Sequence, residues 1–267
     1  MSGQKRISII TPSYNQAEFI ERTLESVQAQ QVDVPVQHLV IDGGSTDGTL
    51  DILRKYDGKI RFVSEPDHSM QDALNKGFGM ASGDIVGWLN SDDICLPGAL
   101  QKVSAFFDQN PGCLWLYGNC RMVDENDREI RRWITAYKNR LSEKYSYNRL
   151  LTENFISQPA VYIRRNALQA AGPIDMGLPT AMDYDLWLRL ARLGNPGYIA
   201  EDLACFRVHG QSISAKNYRK QFEEQYQIHL RYDRNPWRLF KHRVKIRLIV
   251  FAYWLLSAMK TVSGENR

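Results

Sequence analysis

The chain has 267 residues, of which 43% are hydrophobic and 24% are charged, and its formal net charge is +4. This composition is ordinary for a soluble globular protein and excludes a disordered chain, a collagen or a coiled coil. Because folding a chain of this length buries roughly 70 to 75% of the unfolded surface, one large domain or two modest ones can form without a metal or disulfide staple.

Four cysteines, Cys95, Cys113, Cys120 and Cys205, form no Cys-x-x-Cys pair and no even framework. We therefore expect free thiols in a reducing compartment. The first residues hold no apolar stretch long enough for a signal peptide, and the longest apolar run, Leu248 to Leu256, has nine residues. A bilayer needs about 20, so a cytoplasmic protein without a spanning segment is expected.

Short apolar runs alternate with apolar residues at helical spacing over the first 118 residues. The helical spacing is clearest at Ile20, Leu24 and Val27. This alternation predicts an α/β fold with a parallel, doubly wound sheet and helices on both faces. The predicted strands cover residues 6–11, 38–41, 60–63, 84–89 and 114–117.

The pattern loosens after the fifth predicted strand. Residues from Arg121 to Arg149 are polar, with many cations and aromatics, and are interpreted as an excursion over the catalytic face. Regular structure is predicted again at Ala160 to Ile163 and in a helix that begins near Met182. Pro97 is expected to open an earlier helix.

Polar residues follow the first, second and fourth predicted strands, namely Thr11–Asn15, Asp42–Gly48 and Asn90–Asp93. Ligands of open α/β sheets bind beyond the carboxyl ends of the strands, so these loops are expected to form one cleft. The second loop has neither the dinucleotide-binding order of glycines nor a P-loop Gly-Lys-Ser/Thr. Asp42 either binds a base or ribose or forms an Asx-turn before the helix at Thr49.

Asp92 and Asp93 are adjacent carboxylates at the end of a buried apolar strand, which is costly unless a cation lies between them. Their oxygen ligands favour Mg²⁺ or Mn²⁺, which bind one or two carboxylates together with substrate phosphates. Asp93 also precedes Pro97 at a distance suited to capping the helix there. A capping role is therefore expected for one of the pair.

Four motifs together resemble the family 2 glycosyltransferases, which are inverting enzymes of the GT-A fold. The resemblance covers about residues 5 to 215 and is specific because each motif follows a predicted strand in the right order. The motifs are Ile9–Asn15 with Glu18, Asp42–Thr49, Asn75-Lys-Gly and Asn90–Asp93 before Pro97.

The resemblance implies a division of the chain. Residues 1–215 are expected to form a GT-A domain, with a nucleotide-sugar-binding half over about 1–118 and an acceptor and catalytic half over 119–215. Residues 216–267 are expected to form a basic amphipathic helical tail. The resemblance also implies that Tyr14 stacks on the donor's base and that Asp42 hydrogen-bonds to it. The implied nucleotide-sugar contacts are Pro12, Tyr14, Asp42, Lys76, Asn90, Ser91 and Asp92.

The implied cofactor is Mn²⁺ or Mg²⁺, with Asp92, Asp93 and His209 as its candidate ligands. Asn90 stands where the family has the first aspartate of Asp-x-Asp, which leaves fewer anionic ligands. His209, in Phe206–Ser214, resembles a residue that completes the metal shell in related enzymes, or it is a structural loop histidine. Ser157-Gln158-Pro159 either shapes the acceptor pocket or forms a turn.

An inverting transferase needs a general base to take the proton of the acceptor hydroxyl. Met182–Trp187 resembles the family's Glu-Asp motif before a Leu-Trp helix. Asp183 shares a helix face with the apolar Trp187, whereas Asp185 shares a charged stripe with Arg189. Asp183 is therefore the candidate base, the alternative being a helix-start aspartate without chemistry, and Asp185 is expected to be a solvated ion-pair partner.

Residues 231–267 carry nine Lys or Arg against two acidic residues, whereas the preceding 230 residues have a net charge of −3. Basic side chains there border an apolar helix face. This pattern predicts attachment of residues 234–259 to an anionic membrane surface, on the inner face of the cell membrane, rather than nucleic-acid binding. An oligomer contact is the alternative. The apolar face comprises Trp237, Phe240, Val244, Leu248, Phe251 and Leu255, with Trp254 beside it.

These observations predict metal-dependent, inverting transfer of a sugar from a nucleoside diphosphate donor, UDP-linked, to a hydroxyl of a glycan or lipid-linked sugar in surface polysaccharide assembly. The alternative is a non-catalytic nucleotide- or glycan-binding module, with Asn90 as a sign of decay. A sugar-nucleotide pyrophosphorylase is disfavoured because its Gly-rich activating loop is absent. Sugar and linkage depend on the stretch from Arg121 to Gln158.

Overall fold

A computed structural model describes residues 5–210, 212 and 217–262. The strands are β1 (Ile7–Ser13), β2 (Val36–Asp42), β3 (Arg61–Ser64), β4 (Ile85–Trp88), β5 (Ile94–Cys95), β6 (Trp115–Val123), β7 (Val161–Arg164) and β8 (Gly197–Arg207). The helices are α1 (Ile20–Gln28), α2 (Thr49–Lys55), α3 (Met70–Met80), α4 (Ala99–Gln109), α5 (Arg132–Ser142), α6 (Tyr147–Leu150), α7 (Arg165–Ala171), α8 (Met182–Leu193), α9 (Tyr218–Tyr232) and α10 (Pro236–Val262).

The described residues form one eight-stranded sheet in the order β3-β2-β1-β4-β7-β6-β8-β5. Strands β1 to β4 are parallel, and β6 and β8 run in the same direction as they do. Only β7 and β5, within this sheet, run the opposite way. The prediction of a mostly parallel α/β sheet followed by a helical C-terminal part is confirmed.

Two features of the second half were not predicted. Strand β8 is long, but Glu201 within it is exposed and its pairing with β6 shifts register on either side of Asn119. Such a bulge interrupts the alternation of buried and exposed residues, so no strand pattern is visible in the sequence. The stretch from Arg121 to Arg149, which was expected to be irregular, contains the end of β6, all of α5 and part of α6.

Side chains of the sheet alternate between two apolar layers, as the period of a strand requires. Ile10 packs in the layer that includes α3 and α8, and Ile9 packs in the layer covered by α4. Three residues of α4 that were predicted to face inward, Leu100, Val103 and Phe107, are fully buried. With helices on both faces, the strands become near-continuous apolar runs, which explains why the sequence showed them.

All four cysteines are free thiols, as predicted. Three of them, Cys95, Cys120 and Cys205, are buried on strands β5, β6 and β8. Burial raises the pKa of Cys95 to about 12, so this side chain stays a thiol and packs as a small apolar group.

The Asn75-Lys-Gly motif of α3 has a structural basis. The Asn75 amide donates to Ile174 O (3.1 Å) and its oxygen accepts from Ile174 N (2.8 Å), which fixes the loop before α8. Gly77 faces Ile10 of β1 so closely that a Cβ atom would overlap the Ile10 side chain. The close packing of helix α3 against β1 thus requires a residue without a side chain at position 77.

We expect Gly77→Ala to lower the free energy of unfolding by about 1 to 2 kcal/mol, since overpacking outweighs the helix propensity that alanine adds. Gly79→Ala in the same helix is the matched control, because nothing lies within 4 Å of a Cβ there. That control should be neutral or stabilising in urea denaturation. Equal effects of the two substitutions would contradict the close packing at Gly77.

Candidate active site

The candidate site lies at one edge of the sheet, where the parallel strands β1, β2, β4 and β8 end. The first two loops are joined because Asn15 N donates to Ser45 Oγ (2.8 Å) and Thr46 N donates to Asn15 Oδ1 (2.9 Å). The loop after β4 is tied to α1, since Thr23 Oγ1 donates to Ser91 O (2.9 Å). These contacts bring the three predicted loops together.

Asp42 is buried and forms the turn that was one of its two predicted roles. Its Oδ2 accepts from Gly44 N (3.1 Å), Ser45 N (2.9 Å) and Ser64 Oγ (2.7 Å), and its Oδ1 accepts from Ser45 Oγ. Both oxygens are therefore engaged within the protein. The carboxylate shapes the loop after β2 and fastens it to the end of β3.

Asp67, which was not among the predicted residues, lies against the glycine loop. A Cβ atom at Gly43 would lie 2.7 Å from Asp67 Oδ2, so the carboxylate approaches the backbone where no side chain intervenes. Burial, followed by the charges of Asp72 and Asp42, raises the pKa of Asp67. Glu65-Pro-Asp67 directly follows β3, so inspection of that strand's carboxyl end would have found this residue.

The remaining predicted donor residues differ in exposure. Tyr14 is 59% exposed at the end of β1 and its ring is available to a ligand, whereas Pro12 is buried within the strand beside Ile41. Lys76 on α3 forms an ion pair with the exposed Glu65. The ammonium group of Lys76 is thus held near the end of β3.

Asn90 is held by three hydrogen bonds. Trp88 Nε1 donates to Asn90 Oδ1 (2.7 Å), and Asn90 Nδ2 donates to Asp93 Oδ2 and to Gln158 Oε1 (both 3.1 Å). Gln158 in turn donates to Trp88 O and lies in a short 3₁₀ turn, Gln158–Ala160. Ser157-Gln158-Pro159 thus forms the turn that was one of its two predicted roles.

Asp93 is fully buried, and two of the roles predicted for it do not fit the structure. Its Oδ1 accepts from Arg207 N (2.9 Å) and its Oδ2 from Asn90 Nδ2, so the carboxylate is enclosed and is not placed as a metal ligand. It does not cap α4 either, because the residue before that helix is Gly98, which has a positive φ and no side-chain cap. Burial, and then repulsion from Asp92, raises the pKa of Asp93 well above its ordinary value.

Asp92 and His209 are brought together from separate strand ends. Asp92 Oδ2 lies 2.9 Å from His209 Nε2, and the imidazole packs on the Phe19 ring at 4.4 Å between centroids. A carboxylate oxygen beside an imidazole nitrogen suits Mn²⁺ or Mg²⁺ if substrate phosphates supply further ligands. Among the described residues no cluster of three or more metal-binding side chains occurs. Of the segment Phe206–Ser214, residues Gln211, Ile213 and Ser214 lie outside the described residues.

Asp183 lies in the first turn of α8 and faces Asn154, whose Nδ2 donates to Asp183 Oδ2 (3.3 Å). Burial raises the pKa of Asp183, against the opposing effects of the hydrogen bonds from Tyr184 N and Asn154 and of the Lys138 charge. A carboxylate whose pKa lies above its ordinary value is a stronger base than a solvated one.

Asp185 forms the predicted ion pair with Arg189 (2.8 Å). It was expected to be solvated, but its side chain is buried. Its other oxygen accepts from Tyr232 OH (2.8 Å) on α9. Because α9 covers this side of α8, the charged stripe read from the sequence is an internal contact.

The sequence matches the model described as Glycosyl transferase family 2 over residues 8–171. The chain belongs to this family. It is 31% identical over 219 residues to the putative teichuronic acid biosynthesis glycosyltransferase TuaG of Bacillus subtilis, covering 80% of this chain and 83% of TuaG. It spans between 21% and 83% of the length of eight curated relatives that it matches.

Solved glycosyltransferases share the fold. S. aureus TarS 1–349 in complex with UDP-GlcNAc gives a TM-score of 0.62 at 19% identity, covering 84% of this chain and 66% of that chain. The mannosyltransferase PcManGT from Pyrobaculum calidifontis, in complex with GDP-Man and Mn²⁺, gives a TM-score of 0.66 at 17% identity, covering 99% and 82%. The GT-A-like architecture expected from the motifs is thereby confirmed.

Besides Asp67, three further residues of this glycosyltransferase that support the site were not predicted. Arg207 lies in a segment that the sequence singled out for its histidine, and its guanidinium is buried. Lys138 lies in the stretch from Arg121 to Arg149 and Asn154 lies shortly after it, where no spacing indicated which side chains face inward. Lys138 donates to Ser157 Oγ (3.3 Å), and burial lowers its pKa.

Proposed function

We propose that this family 2 glycosyltransferase transfers a sugar, with inversion and divalent-metal dependence, from a UDP-linked donor to a hydroxyl of a glycan or lipid-linked acceptor in surface polysaccharide assembly. The observation that carries the proposal is the meeting of Asp92 and His209 at the strand edge that holds Tyr14 and the glycine loop. The complex of TarS with UDP-GlcNAc and the name of TuaG support the donor and the pathway class.

In this proposal the donor's base lies between Tyr14 and the glycine loop. The exposed Tyr14 ring supplies a stacking surface, and Asp67 supplies a carboxylate beside Gly43, where the backbone can be approached closely. Asp42 holds the loop in shape through the hydrogen bonds that its buried carboxylate accepts. Lys76, whose ammonium group pairs with Glu65 after β3, would contact the diphosphate.

Asp92 and His209 would hold the divalent ion, which when bound would offset the charge that develops on the leaving diphosphate. PcManGT, whose solved complex contains Mn²⁺, has the same fold. Asn90 and Ser91 would keep Asp92 in place, since Asn90 is tied to Asp93 and Gln158 and Ser91 O to Thr23.

Asp183 would take the proton of the acceptor hydroxyl as its oxygen attacks the anomeric carbon from the side opposite the diphosphate. Asn154 orients one carboxylate oxygen by donating to it. Asn154 Oδ1 is buried and has no hydrogen-bond partner among the described residues, so it could accept a hydrogen bond from an acceptor hydroxyl. These two residues would form the wall on which the acceptor is held.

The aspartate-to-asparagine departure at residue 90 favours an enzyme over a decayed binding module. Asn90 Nδ2 donates to both Asp93 and Gln158, and an ionised aspartate has no proton to donate. An aspartate here would also add a third carboxylate beside Asp93, which is buried. The amide is therefore the side chain that this arrangement requires.

We expect Asp92→Ala to abolish the strengthening of UDP binding by Mn²⁺, because the substitution removes the carboxylate from the proposed metal pair. Calorimetric titration of UDP with and without Mn²⁺ measures this effect. Asp51→Ala, an exposed aspartate on α2, is the control and should behave as wild type. Metal-linked UDP binding that survives Asp92→Ala would exclude Asp92 as a ligand.

We expect Asp183→Asn to lower kcat by about 10² to 10⁴, the range typical of a lost general base, while UDP affinity changes little. Only the ionised carboxylate accepts a proton, and burial raises the pKa of Asp183. Wild-type kcat/KM should therefore fall on acidification at a pH above the ordinary aspartate value of about 3.9. Asp108→Asn, an exposed aspartate of α4, is the control. Unchanged turnover in Asp183→Asn would remove this residue from the mechanism.

Helix α10 supports the proposal of an acceptor at a membrane surface. Trp237, Phe240 and Leu248 are 74%, 60% and 63% exposed, and Val244 lies between them on the same helix face. The opposite face packs on α9 through the buried His242. An exposed aromatic and aliphatic face with cations on both flanks fits an anionic lipid surface. The side chains of Phe251, Trp254 and Leu255 lie outside the described residues.

No helix in the described part of the chain has a stretch long and apolar enough to cross a bilayer. We propose interfacial binding through α10 instead, with lipid as the occupant of its exposed face. The cations that flank this face are Arg234, Arg238, Lys241, Lys245, Arg243 and Arg247.

We expect the protein to co-sediment with vesicles containing anionic lipid and to be released by salt, which screens the charges. The double variant Trp237→Ser with Phe240→Ser should reduce binding at least tenfold. Leu193→Ser, at an exposed residue of α8, is the matched control. A variant that binds vesicles like wild type but has lost a concentration-dependent dimer would favour the oligomer contact.

A further inference from the structure

The start of helix α8 depends on a residue from α9. Ala181 precedes the helix and provides no side-chain cap. Instead, Glu224 Oε2 accepts three hydrogen bonds, from Thr180 N (2.9 Å), Thr180 Oγ1 (2.7 Å) and Ala181 N (3.0 Å). A carboxylate is well suited to this position because the N-terminus of a helix presents unpaired N–H groups and a partial positive charge.

A second contact from α9 reaches the same turn of α8. Tyr232 OH donates to Asp185 Oδ1 (2.8 Å), and Arg189 Nε holds the other oxygen of Asp185. Asp183 lies between the residues bound by Glu224 and the residue bound by Tyr232. The first helical turn is thus fixed both before and after the candidate base, while Asp183 itself faces Asn154.

We propose that Glu224 is a positioning residue for Asp183, so that α9 forms part of the catalytic unit. This inference rests on the proposed function, in which Asp183 is the general base. Three donors that converge on one carboxylate oxygen set the path of residues 180 and 181, and this path sets the direction in which the next turn projects Asp183. Without Glu224 the path of residues 180 and 181 is no longer held by these bonds, and a base displaced by 1 Å loses much of its rate advantage.

The proposed positioning of Asp183 depends on a residue in the C-terminal part of the chain, because Glu224 lies on α9. The family match ends at residue 171, whereas Glu224 is 44 residues beyond Thr180. Glu223, its neighbour, is exposed. Substituting Glu223 therefore changes the charge of α9 as substituting Glu224 does, but removes no contact with α8.

The experiment compares Glu224→Ala, Glu224→Gln, Thr180→Val, Asp183→Asn and the control Glu223→Ala in the full chain. UDP release is measured for the UDP-sugar that wild type turns over fastest among UDP-GlcNAc, UDP-GalNAc, UDP-glucose and UDP-galactose. UDP affinity in the presence of Mn²⁺ is measured by calorimetry, and circular dichroism gives the folded fraction used to correct each rate.

We expect Glu224→Ala to lower kcat at least about tenfold with UDP affinity within twofold of wild type, because the base is misplaced while the donor edge is intact. Glu224→Gln should retain most of the rate, since its amide oxygen can still accept the hydrogen bonds. Glu223→Ala should match wild type. Thr180→Val, which removes one of the three donors, should lower kcat by a smaller factor and decides the question if Glu224→Ala does not fold.

Wild-type kcat in Glu224→Ala, or in Thr180→Val if Glu224→Ala does not fold, would overturn the inference, as would a Gln variant as slow as the Ala variant. A loss of UDP affinity that matches the loss of kcat would also overturn it, because general unfolding of the site lowers both UDP affinity and kcat. The same set of variants tests the proposed function separately. Wild-type turnover of Asp183→Asn excludes the base itself, whereas impaired Asp183→Asn with intact Glu224→Ala excludes only the role of Glu224.

Discussion

The edge of the sheet that holds the candidate site depends on the interactions of the buried Arg207 guanidinium. A buried cation is tolerated only when it is paired and hydrogen-bonded, and Arg207 is 1% exposed. Its Nε donates to Asp92 O (2.8 Å) and its Nη1 donates to Asp124 O (3.0 Å) and pairs with Asp127. The guanidinium also lies 5.3 Å from the centre of the Phe19 ring. One side chain at the end of β8 thereby joins the loop after β4, the loop after β6 and the start of α1.

The contacts of Arg207 also give the two adjacent aspartates different surroundings. Arg207 N holds the Asp93 carboxylate inside, whereas the carboxylate of Asp92, one residue earlier, is partly exposed and reaches His209. His209 lies two residues beyond Arg207, and its Nε2 is 2.9 Å from Asp92 Oδ2. The pairing of a carboxylate and an imidazole from distant parts of the sequence is thus a consequence of one buried ion network.

Local pattern was sufficient to predict strands β1 to β4, β6 and β7, but not β5 or β8, and the edge at which polar residues gather. Strands covered by helices on both faces are short apolar runs that end abruptly. Local pattern was not sufficient to assign each carboxylate a role. Asp42 is closed off by Ser64, Asp93 by the backbone of Arg207, and Asp185 by Tyr232, which are 22, 114 and 47 residues away in sequence. An aspartate that binds a ligand and one that binds a distant backbone amide look alike in a sequence, since both follow a strand or begin a helix.

The proposed inverting displacement places a further demand on the fold. The base and the leaving diphosphate must lie on opposite sides of the reacting carbon, so α8 has to be held at a fixed distance from the strand edge. The core supplies part of this constraint, because Trp187 of α8 stacks on Trp115 of β6 with ring centroids 6.0 Å apart. That contact anchors the middle of the helix, and in its first turn Tyr184 OH donates to Leu151 O (2.8 Å). Contacts from α9, at Glu224 and Tyr232, hold the same turn. If acceptor specificity resides in α5 and its neighbouring loops, as proposed, it can vary without disturbing the contacts of Glu224 and Tyr232, because neither contact involves that stretch.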